Sequence, residues 1–278
     1  MNRTVTQKIG SAEVSIITDG VHCFTPDLFS ETPEAHLKAL LDSQGEGEIE
    51  TNFNAVLIRD GGRVILLDAG PRDLFGADCG FLHDGLAEIG VTPDQVDTLV
   101  ATHLHPDHVA GMITPEGAAV FANATLHVPD IERSFWSDDS NFQGALTGIS
   151  GWSELAQAVL AAYGDRLESF SDGGEVAPGV RAVALPGHTP GHMGWRLDRD
   201  GASLIHVGDI VHAPALQIAD PEVAISFDLD MVTARETRKR LLDQLASDGT
   251  LFTGGHFLHP AFNRVTRRGQ GYALEPGA

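Results

Sequence analysis

The alternation of hydrophobic and polar residues along the chain predicts short strands interrupted by helices. Short apolar runs predict strands at residues 12–18, 54–59, 63–67, 98–102, 124–128, 180–185, 194–197, 204–207 and 250–253. Apolar residues that recur every three or four positions predict helices at residues 33–41, 81–89, 152–163 and 231–245. Asp19-Gly20 is typical of a turn after the first strand, and Asp60-Gly61-Gly62 predicts a hairpin.

The order of these elements indicates a fold class. Strands alternate with helices, but many of the strands come in hairpins, which favours helices packed outside two mixed sheets over a doubly wound parallel sheet. The chain contains no short-period repeat, low-complexity segment or linker. We therefore expect one α+β domain that spans residues 1–278.

Composition narrows the range of partners. A formal net charge of −21 leaves no basic stripe to neutralise phosphates, so we expect no nucleic-acid partner. No stretch approaches 18 consecutive apolar residues, and no apolar run follows the basic residue near the N-terminus, so we expect no membrane partner and a cytoplasmic location. Cys23 and Cys79 are too few, and spaced too widely, to indicate a disulfide framework or a thiolate metal site.

The most informative segment is His103-Leu104-His105-Pro106-Asp107-His108, which places four potential metal ligands within six residues. Imidazole and carboxylate ligands at this density suit zinc, manganese or iron rather than calcium. Alternate positions of an extended backbone point the same way, so His103 and His105 can share one ion. Asp107 and His108 continue past the turn and can face a second ion beside it.

Three further candidate ligands follow later predicted strands. His188, Asp209 and His256 each come directly after a glycine at the end of an apolar run. Glycine permits the close backbone approach that an ion cluster needs. Together with the first segment, these residues complete two coordination shells.

These motifs resemble those of the metallo-β-lactamase superfamily. They are the His-x-His-x-Asp-His segment, Gly187-His188-Thr189-Pro190-Gly191-His192, Gly208-Asp209 and Gly255-His256. Within it, the chain resembles the methyl parathion hydrolase group and its lactone- and aryl-ester-cleaving relatives. The supporting stretches are Asp68-Ala69-Gly70, Asp73-Leu74-Phe75-Gly76, Phe135-Trp136, Phe142-Gln143-Gly144-Ala145, Val211-His212, Phe227-Asp228-Leu229-Asp230 and Gly269-Gln270-Gly271-Tyr272. The resemblance implies a four-layer αββα sandwich with the metal site at one edge of the sheets.

The resemblance also implies a division of the ligands between two divalent ions, with zinc favoured and manganese or iron as alternatives. His103, His105 and His188 would hold one ion. Asp107, His108 and His256 would hold the other, and Asp209 would bridge the two. Asp68 and His192 would support the ligands from behind. The remaining histidines, including His212, are expected to be structural or surface residues.

The same resemblance implies hydrolysis by a metal-bridging hydroxide, because bound metal can lower the pKa of water to about 7. Asp209 would hold the two ions together, and Asp107 is a candidate to shuttle the proton. Phe75, Trp136 and Phe142 are expected to form an apolar substrate pocket, although Trp136 and Phe142 could instead close a core. Such a pocket favours a small neutral ester, aryl ester or lactone, with phosphotriester cleavage as a promiscuous activity. We leave open whether the protein forms a homodimer.

Other branches of the superfamily are less compatible with the chain. Asp209 stands where true β-lactamases usually carry another residue, and only 22 residues follow His256, too few for the helical domain of glyoxalase II. Nuclease branches need a basic surface. Three alternatives remain open: an N-acyl homoserine lactonase, which would be expected to carry a tyrosine near the third histidine; a mononuclear iron dioxygenase of the same fold; and a non-catalytic metal-binding protein.

Overall fold

Two seven-stranded sheets form from the described residues of the computed structural model, which are 2–143, 147–259 and 261–277. The strands of the first sheet neighbour one another in sequence order: β1 (Thr4–Ile9), β2 (Ala12–Phe24), β3 (Ile49–Asp60), β4 (Arg63–Leu67), β5 (Thr98–Val100), β6 (Thr125–Pro129) and β7 (Leu167–Phe170). β1 to β4 pair antiparallel, whereas β4 to β7 pair parallel.

The second sheet is built from the later part of the chain. Its strands are β8 (Glu175–Ala177), β9 (Val180–Ala184), β10 (Met193–Arg199), β11 (Ala202–His206), β12 (Leu251–Thr253), β13 (Asn263–Arg268) and β14 (Gly271–Pro276). Only β11 and β12 pair parallel among these described strands.

The α-helices of the described chain are α1 (Glu34–Gln44), α2 (Leu82–Glu88), α3 (Pro106–Val109), α4 (Asp130–Trp136), α5 (Thr147–Tyr163), α6 (Pro214–Gln217) and α7 (Met231–Asp248). Short 3-10 turns lie at Pro26–Phe29, Pro93–Gln95, Ala110–Met112, Asp139–Phe142 and Gly164–Arg166. None of the described helices is both long enough and apolar enough to cross a membrane.

Two large hydrophobic clusters hold these layers together. One lies between the sheets, where Val14 and Val56 of the first sheet pack with Trp195 and Leu204 of the second, and α7 adds leucines to the same cluster. The other cluster lies between the first sheet and the helices α2 and α5. The order helix, sheet, sheet, helix confirms the expected αββα sandwich.

The structure departs from the predicted elements at one instructive point. Asp19-Gly20 does not form a turn: β2 runs through to Phe24, and the register with β3 shifts between Thr18 and Gly20. The reason is packing, because a Cβ on Gly20 would lie 2.6 Å from the carbonyl oxygen of Asp78. Glycine is needed here so that the strand can pass under the segment around Cys79.

The sequence patterns did not predict every element of the structure. The elements not predicted from sequence are β1, β7, β8, β13, β14, α3, α4 and α6.

The candidate ligands lie close together because several strands of the two sheets end at the same edge of the sandwich. β5 of the first sheet and β9, β11 and β12 of the second all end at the same edge. The residues that follow each of these strands therefore meet there. His103, His188, Asp209 and His256 all lie in such segments.

Candidate metal centre

One group of potential ligands consists of His103, His105 and His188. The Nε2 atom of His188 lies 3.1 Å from Nε2 of His103 and 2.7 Å from Nδ1 of His105. Each of the three side chains is at most 3% exposed. Burial lowers the pKa of all three imidazoles well below the ordinary value, so the rings are neutral and offer lone pairs.

A second group consists of Asp107, His108, Asp209 and His256. The Oδ2 atom of Asp209 lies 2.9 Å from Nε2 of both His108 and His256. The Oδ2 atom of Asp107 lies 3.5 Å from the same two nitrogens. Burial opposes ionisation of Asp209, but the surrounding imidazoles outweigh it and hold the pKa of this carboxyl well below its ordinary value.

Asp209 also stands between the two groups. Its Oδ2 atom is 3.7 Å from Nε2 of His103 and 3.6 Å from Nε2 of His188. Its Oδ1 atom is buried and has no hydrogen-bond partner among the described residues. A Cβ on Gly255 would lie 2.7 Å from that oxygen, so this position requires glycine. The geometry suits the expected bridging position.

Asp68 supports both groups from behind. Its carboxylate lies 2.8 Å from Nδ1 of His108 and accepts a hydrogen bond of 2.9 Å from the hydroxyl of Thr102. The Thr102 hydroxyl in turn lies 3.0 Å from Nδ1 of His103, whose N–H it accepts. Asp68 holds a left-handed backbone conformation with φ of 59°, which is uncommon for a non-glycine residue. These contacts turn the Nε2 lone pairs of both histidines toward the cluster.

His192 supports Asp209 rather than offering a free ligand atom. Its Nε2 accepts the backbone N–H of Asp209 at 2.9 Å, and its Nδ1 donates to the carbonyl of Leu185 at 2.7 Å. Burial lowers the pKa of His192 to about 4, so the ring is neutral. Its contact therefore fixes the backbone from which the bridging carboxylate projects.

Two further supports were not found by sequence reasoning. Nδ1 of His188 lies 3.0 Å from Oδ1 of the buried Asp228, and Asp228 is 3.5 Å from the guanidinium of the buried Arg238. Nδ1 of His256 donates to the carbonyl of Asn52 at 2.9 Å. Asp228 lies in one of the stretches that carry the family resemblance, and that position could have identified it from the sequence. Asn52 acts through its backbone, so side-chain patterns could not reveal it.

His212 also belongs to the site, although it was expected to be a structural or surface residue. Its side chain is buried, and Nε2 lies 3.3 Å from Oδ2 of Asp209. Its ring stacks on His256 with centroids 4.9 Å apart, and its Nδ1 has no hydrogen-bond partner in the part of the chain that the structure describes. The sequence feature that could have identified His212 as a site residue is its position three residues after Asp209.

The donor set fits two metal ions. Ligand nitrogens bound to one tetrahedral zinc at about 2.0–2.1 Å lie roughly 3.3 Å apart, which resembles the nitrogen separations in the first group. His103, His108, His188 and His256 each have Nδ1 placed against an oxygen acceptor, so each Nε2 is left to bind. The facing lone pairs of His103 and His188 and the unpartnered Oδ1 of Asp209, all buried, favour bound cations.

A cavity of about 120 Å³ lies over the two groups. Five aromatic side chains line it, namely Phe24, Phe53, Phe75, Trp152 and Phe227. Asp107, Asp209, His105, His188, Pro106 and His212 complete the lining. Phe75, which was expected in the pocket, is 41% exposed and packs on Phe53 with ring centroids 5.1 Å apart.

The structure places the other two expected pocket residues elsewhere. Trp136 is fully buried and Phe142 is 8% exposed, and both belong to the cluster between the first sheet and the helices. The two rings stack with centroids 5.2 Å apart. Trp136 lies behind His105, because its indole N–H donates to the buried carboxylate of Glu132 and its ring packs nearly perpendicular to that of His105, with centroids 5.5 Å apart. The rest of the stretch around Phe142, Gly144 and Ala145, lies outside the described residues.

Comparisons with known proteins agree with this site. A family model described as the metallo-beta-lactamase superfamily matches residues 51–256. The chain is 27% identical over 184 residues to a ribonuclease Z of Mycobacterium marinum, covering 58% of each sequence. It is 25% identical over 115 residues to a probable metallo-hydrolase of Methanocaldococcus jannaschii, covering 36% of this chain and 52% of the relative. The chain thus spans just over half the length of these curated relatives.

Solved structures match along nearly the whole chain. The hydrolase AbOPH of the beta lactamase superfamily is 30% identical with a TM-score of 0.94, and the match covers 100% of this chain and 98% of that one. AidC, a dizinc quorum-quenching lactonase in complex with a product, is 23% identical with a TM-score of 0.92, covering 100% and 99%. At 23% identity, the similarity to AidC shows only that the two chains share a fold.

Proposed function

We propose that this chain, which belongs to the metallo-beta-lactamase superfamily, is a dinuclear metal-dependent hydrolase of small neutral esters and lactones. Its likeness in motifs to the methyl parathion hydrolase and lactonase–arylesterase group supports this choice. The observation that carries the proposal is the cavity, in which five aromatic side chains face two metal-ligand groups. An apolar pocket directly beside a charged centre suits a substrate with an apolar body and one polar reacting bond.

The charge of the cavity supports a neutral substrate. No Lys or Arg is among the described residues that line it, whereas Asp107 and Asp209 are. An anionic substrate would therefore meet carboxylates without a compensating basic side chain. The net charge of −21 has the same effect at longer range and disfavours RNA as a substrate, despite the sequence similarity to a ribonuclease Z.

The ligand set would bind one ion through His103, His105 and His188, and the other through Asp107, His108 and His256, with Asp209 shared. When bound, two divalent ions supply Lewis-acid polarisation of the carbonyl and activation of water. We propose zinc for both, because neutral imidazoles with carboxylates form a borderline donor set that zinc favours, with manganese or iron able to substitute.

The protein's own residues provide the remaining functions. Asp107 has a side chain that is 17% exposed and lines the cavity, so it is placed to accept a proton released near the substrate. His212 also lines the cavity and can donate a hydrogen bond to the oxygen that gains negative charge. The aromatic side chains bind the apolar part of the substrate and exclude water around the reacting bond.

A substrate panel tests the proposal. Metal-loaded protein should hydrolyse a neutral aryl ester such as phenyl acetate and a small lactone more efficiently than an anionic phosphodiester of similar size. Chelation should abolish these activities and added zinc should restore them. Preference for the phosphodiester or for RNA, or full activity after chelation, would contradict the proposal.

A further inference from the structure

Glu132 is a buried carboxylate near the candidate metal centre that lies in none of the potential ligand groups. It lies in α4, just after β6, and its side chain is fully buried. Burial raises the pKa of Glu132, which shows that the position disfavours a charged group. A buried carboxyl group is stable only if hydrogen-bond donors or positive charges surround it.

The donors to its carboxyl group come from two different loops and from α4 itself, and the Thr189 side chain beside His188 also interacts with it and lowers its pKa. Oε2 accepts the backbone N–H of Leu104 at 3.1 Å, and Oε1 accepts the backbone N–H of Gly191 at 2.9 Å. Trp136 donates its indole N–H to Oε2 at 2.8 Å. No Lys or Arg side chain is among these partners.

The two loops are those that hold one ligand group. Leu104 lies between His103 and His105, at the end of β5 in the first sheet. Gly191 lies in the segment that joins β9 to β10 in the second sheet, together with His188. A Cβ on Gly191 would lie 2.5 Å from the backbone nitrogen of Glu132, so this loop is packed directly against α4.

We propose that Glu132 is a positioning residue that clamps the loop of His103 and His105 to the loop of His188, and thereby sets the affinity of that metal site more than that of the other. The inference rests on the proposed dinuclear function. The other group depends less on this clamp, because Asp107 and His108 lie on α3 and His256 follows β12, so that only the shared Asp209 is held, through His192, by the clamped loop.

Glutamine cannot replace this glutamate. All three N–H partners donate hydrogens, and a glutamine has one accepting oxygen and one donating NH₂ group. Whichever way the amide turns, its NH₂ faces at least one N–H group. Glu132→Gln should therefore separate one loop from the clamp while keeping the shape of the side chain.

The test compares metal affinities of the full chain. Metal-free wild type, Glu132→Gln and the control Trp136→Phe are titrated with Co²⁺, followed by visible absorption and by competition with a chelator. Trp136→Phe removes one donor to the same carboxylate but leaves both loop contacts. We expect two tight ions in wild type and in Trp136→Phe. In Glu132→Gln we expect one ion weakened by on the order of tenfold or more and the other weakened clearly less.

Two outcomes of the titration would overturn the clamp: unchanged affinity for both ions, or equal weakening of both. If wild type binds fewer than two ions, the proposed dinuclear function fails instead. We expect Glu132→Gln to fold, because the backbone N–H of Met193 still bonds to the carbonyl of Thr102 at 3.0 Å across the same two segments.

Hydrogen exchange on the wild type gives a second test that needs no variant. If Glu132 holds the loops, the amides of Leu104 and Gly191 should be protected in the metal-free protein as well as in the loaded one. Protection in both states supports the clamp. Rapid exchange of either amide in the metal-free protein would show that the metal, rather than Glu132, joins the loops.

Discussion

Nε2 of His188 lies 2.7 Å from Nδ1 of His105, with both side chains almost completely buried. Two imidazole nitrogens at this separation need either a proton or a metal ion between them, because two lone pairs repel each other. Nε2 of His188 also lies 3.1 Å from Nε2 of His103, and because Nδ1 of each of these two rings donates to an oxygen, two lone pairs face each other there. A metal ion meets the same need without protonating either ring, so this contact is the clearest structural sign of a metal site.

Asp209 is expected to be the most sensitive ligand. Its Oδ2 atom is within 3.7 Å of Nε2 atoms from both groups. Asp209→Asn should weaken metal binding and lower kcat for an aryl ester by about 100-fold or more. The measurement is steady-state kinetics alongside metal content. A kcat within twofold of wild type would show that Asp209 does not bridge.

The carboxylates behind the histidines should have distinguishable effects. Asp68 contacts His108 directly and His103 through Thr102, whereas Asp228 contacts only His188 among the ligands. Asp68→Asn should therefore weaken both ions, and Asp228→Asn only one, each by about 10–100-fold. Stepwise metal titration of the two variants checks this. Identical titration curves for the two variants would contradict the assignment.

Phe75 should affect substrate binding without affecting the fold, because it lines the cavity and is 41% exposed. Loss of its ring should lower kcat/KM for an aryl ester by about tenfold, since full burial of such a group contributes about 2 kcal/mol, or roughly 30-fold, and Phe75 is only partly buried. A small aliphatic lactone should be affected less. Leu74→Ala is the matched control, because Leu74 is 47% exposed in the same segment and is not in the cavity lining. Equal losses in Phe75→Ala and Leu74→Ala would remove Phe75 from the substrate site.

Asp19 should make stability depend on pH. Burial raises its pKa from 3.8 to about 6, so the folded protein holds this proton more tightly than the unfolded chain does. Stability should therefore fall as pH rises from about 4 to about 6, by up to about 3 kcal/mol, and stay level above that window. In Asp19→Asn this fall should be absent. Denaturant unfolding of chelated wild type and variant across this range tests it; parallel curves would contradict the assignment.

The candidate ligands that the structure brings together could be identified from sequence because each belongs to a local pattern. His103 and Asp209, for example, each follow a short apolar strand, and strand ends of a sandwich meet at one edge. The supports could not be predicted in the same way. Glu132 lies 28 residues from Leu104 and 59 from Gly191, and it acts by accepting backbone N–H groups that carry no sequence signal.

The pocket shows a related difficulty. The aromatic residues of the segment 134–152 were expected to include the pocket wall, but sequence does not tell which ring faces inward. The structure places Trp152 in the cavity lining and Trp136 in the core, where the indole N–H meets Glu132. Phe24 and Phe227 reach the cavity from opposite ends of the chain. Only the closed sandwich brings them together.

The most direct test of the account is the metal content of the purified protein, measured by elemental analysis against protein concentration and repeated after chelation and reconstitution with zinc. Seven ligands in two groups predict close to two ions per chain, with hydrolysis of a neutral aryl ester rising in step with occupancy. A fully active preparation that holds one ion or none would contradict the dinuclear site and the function proposed from it.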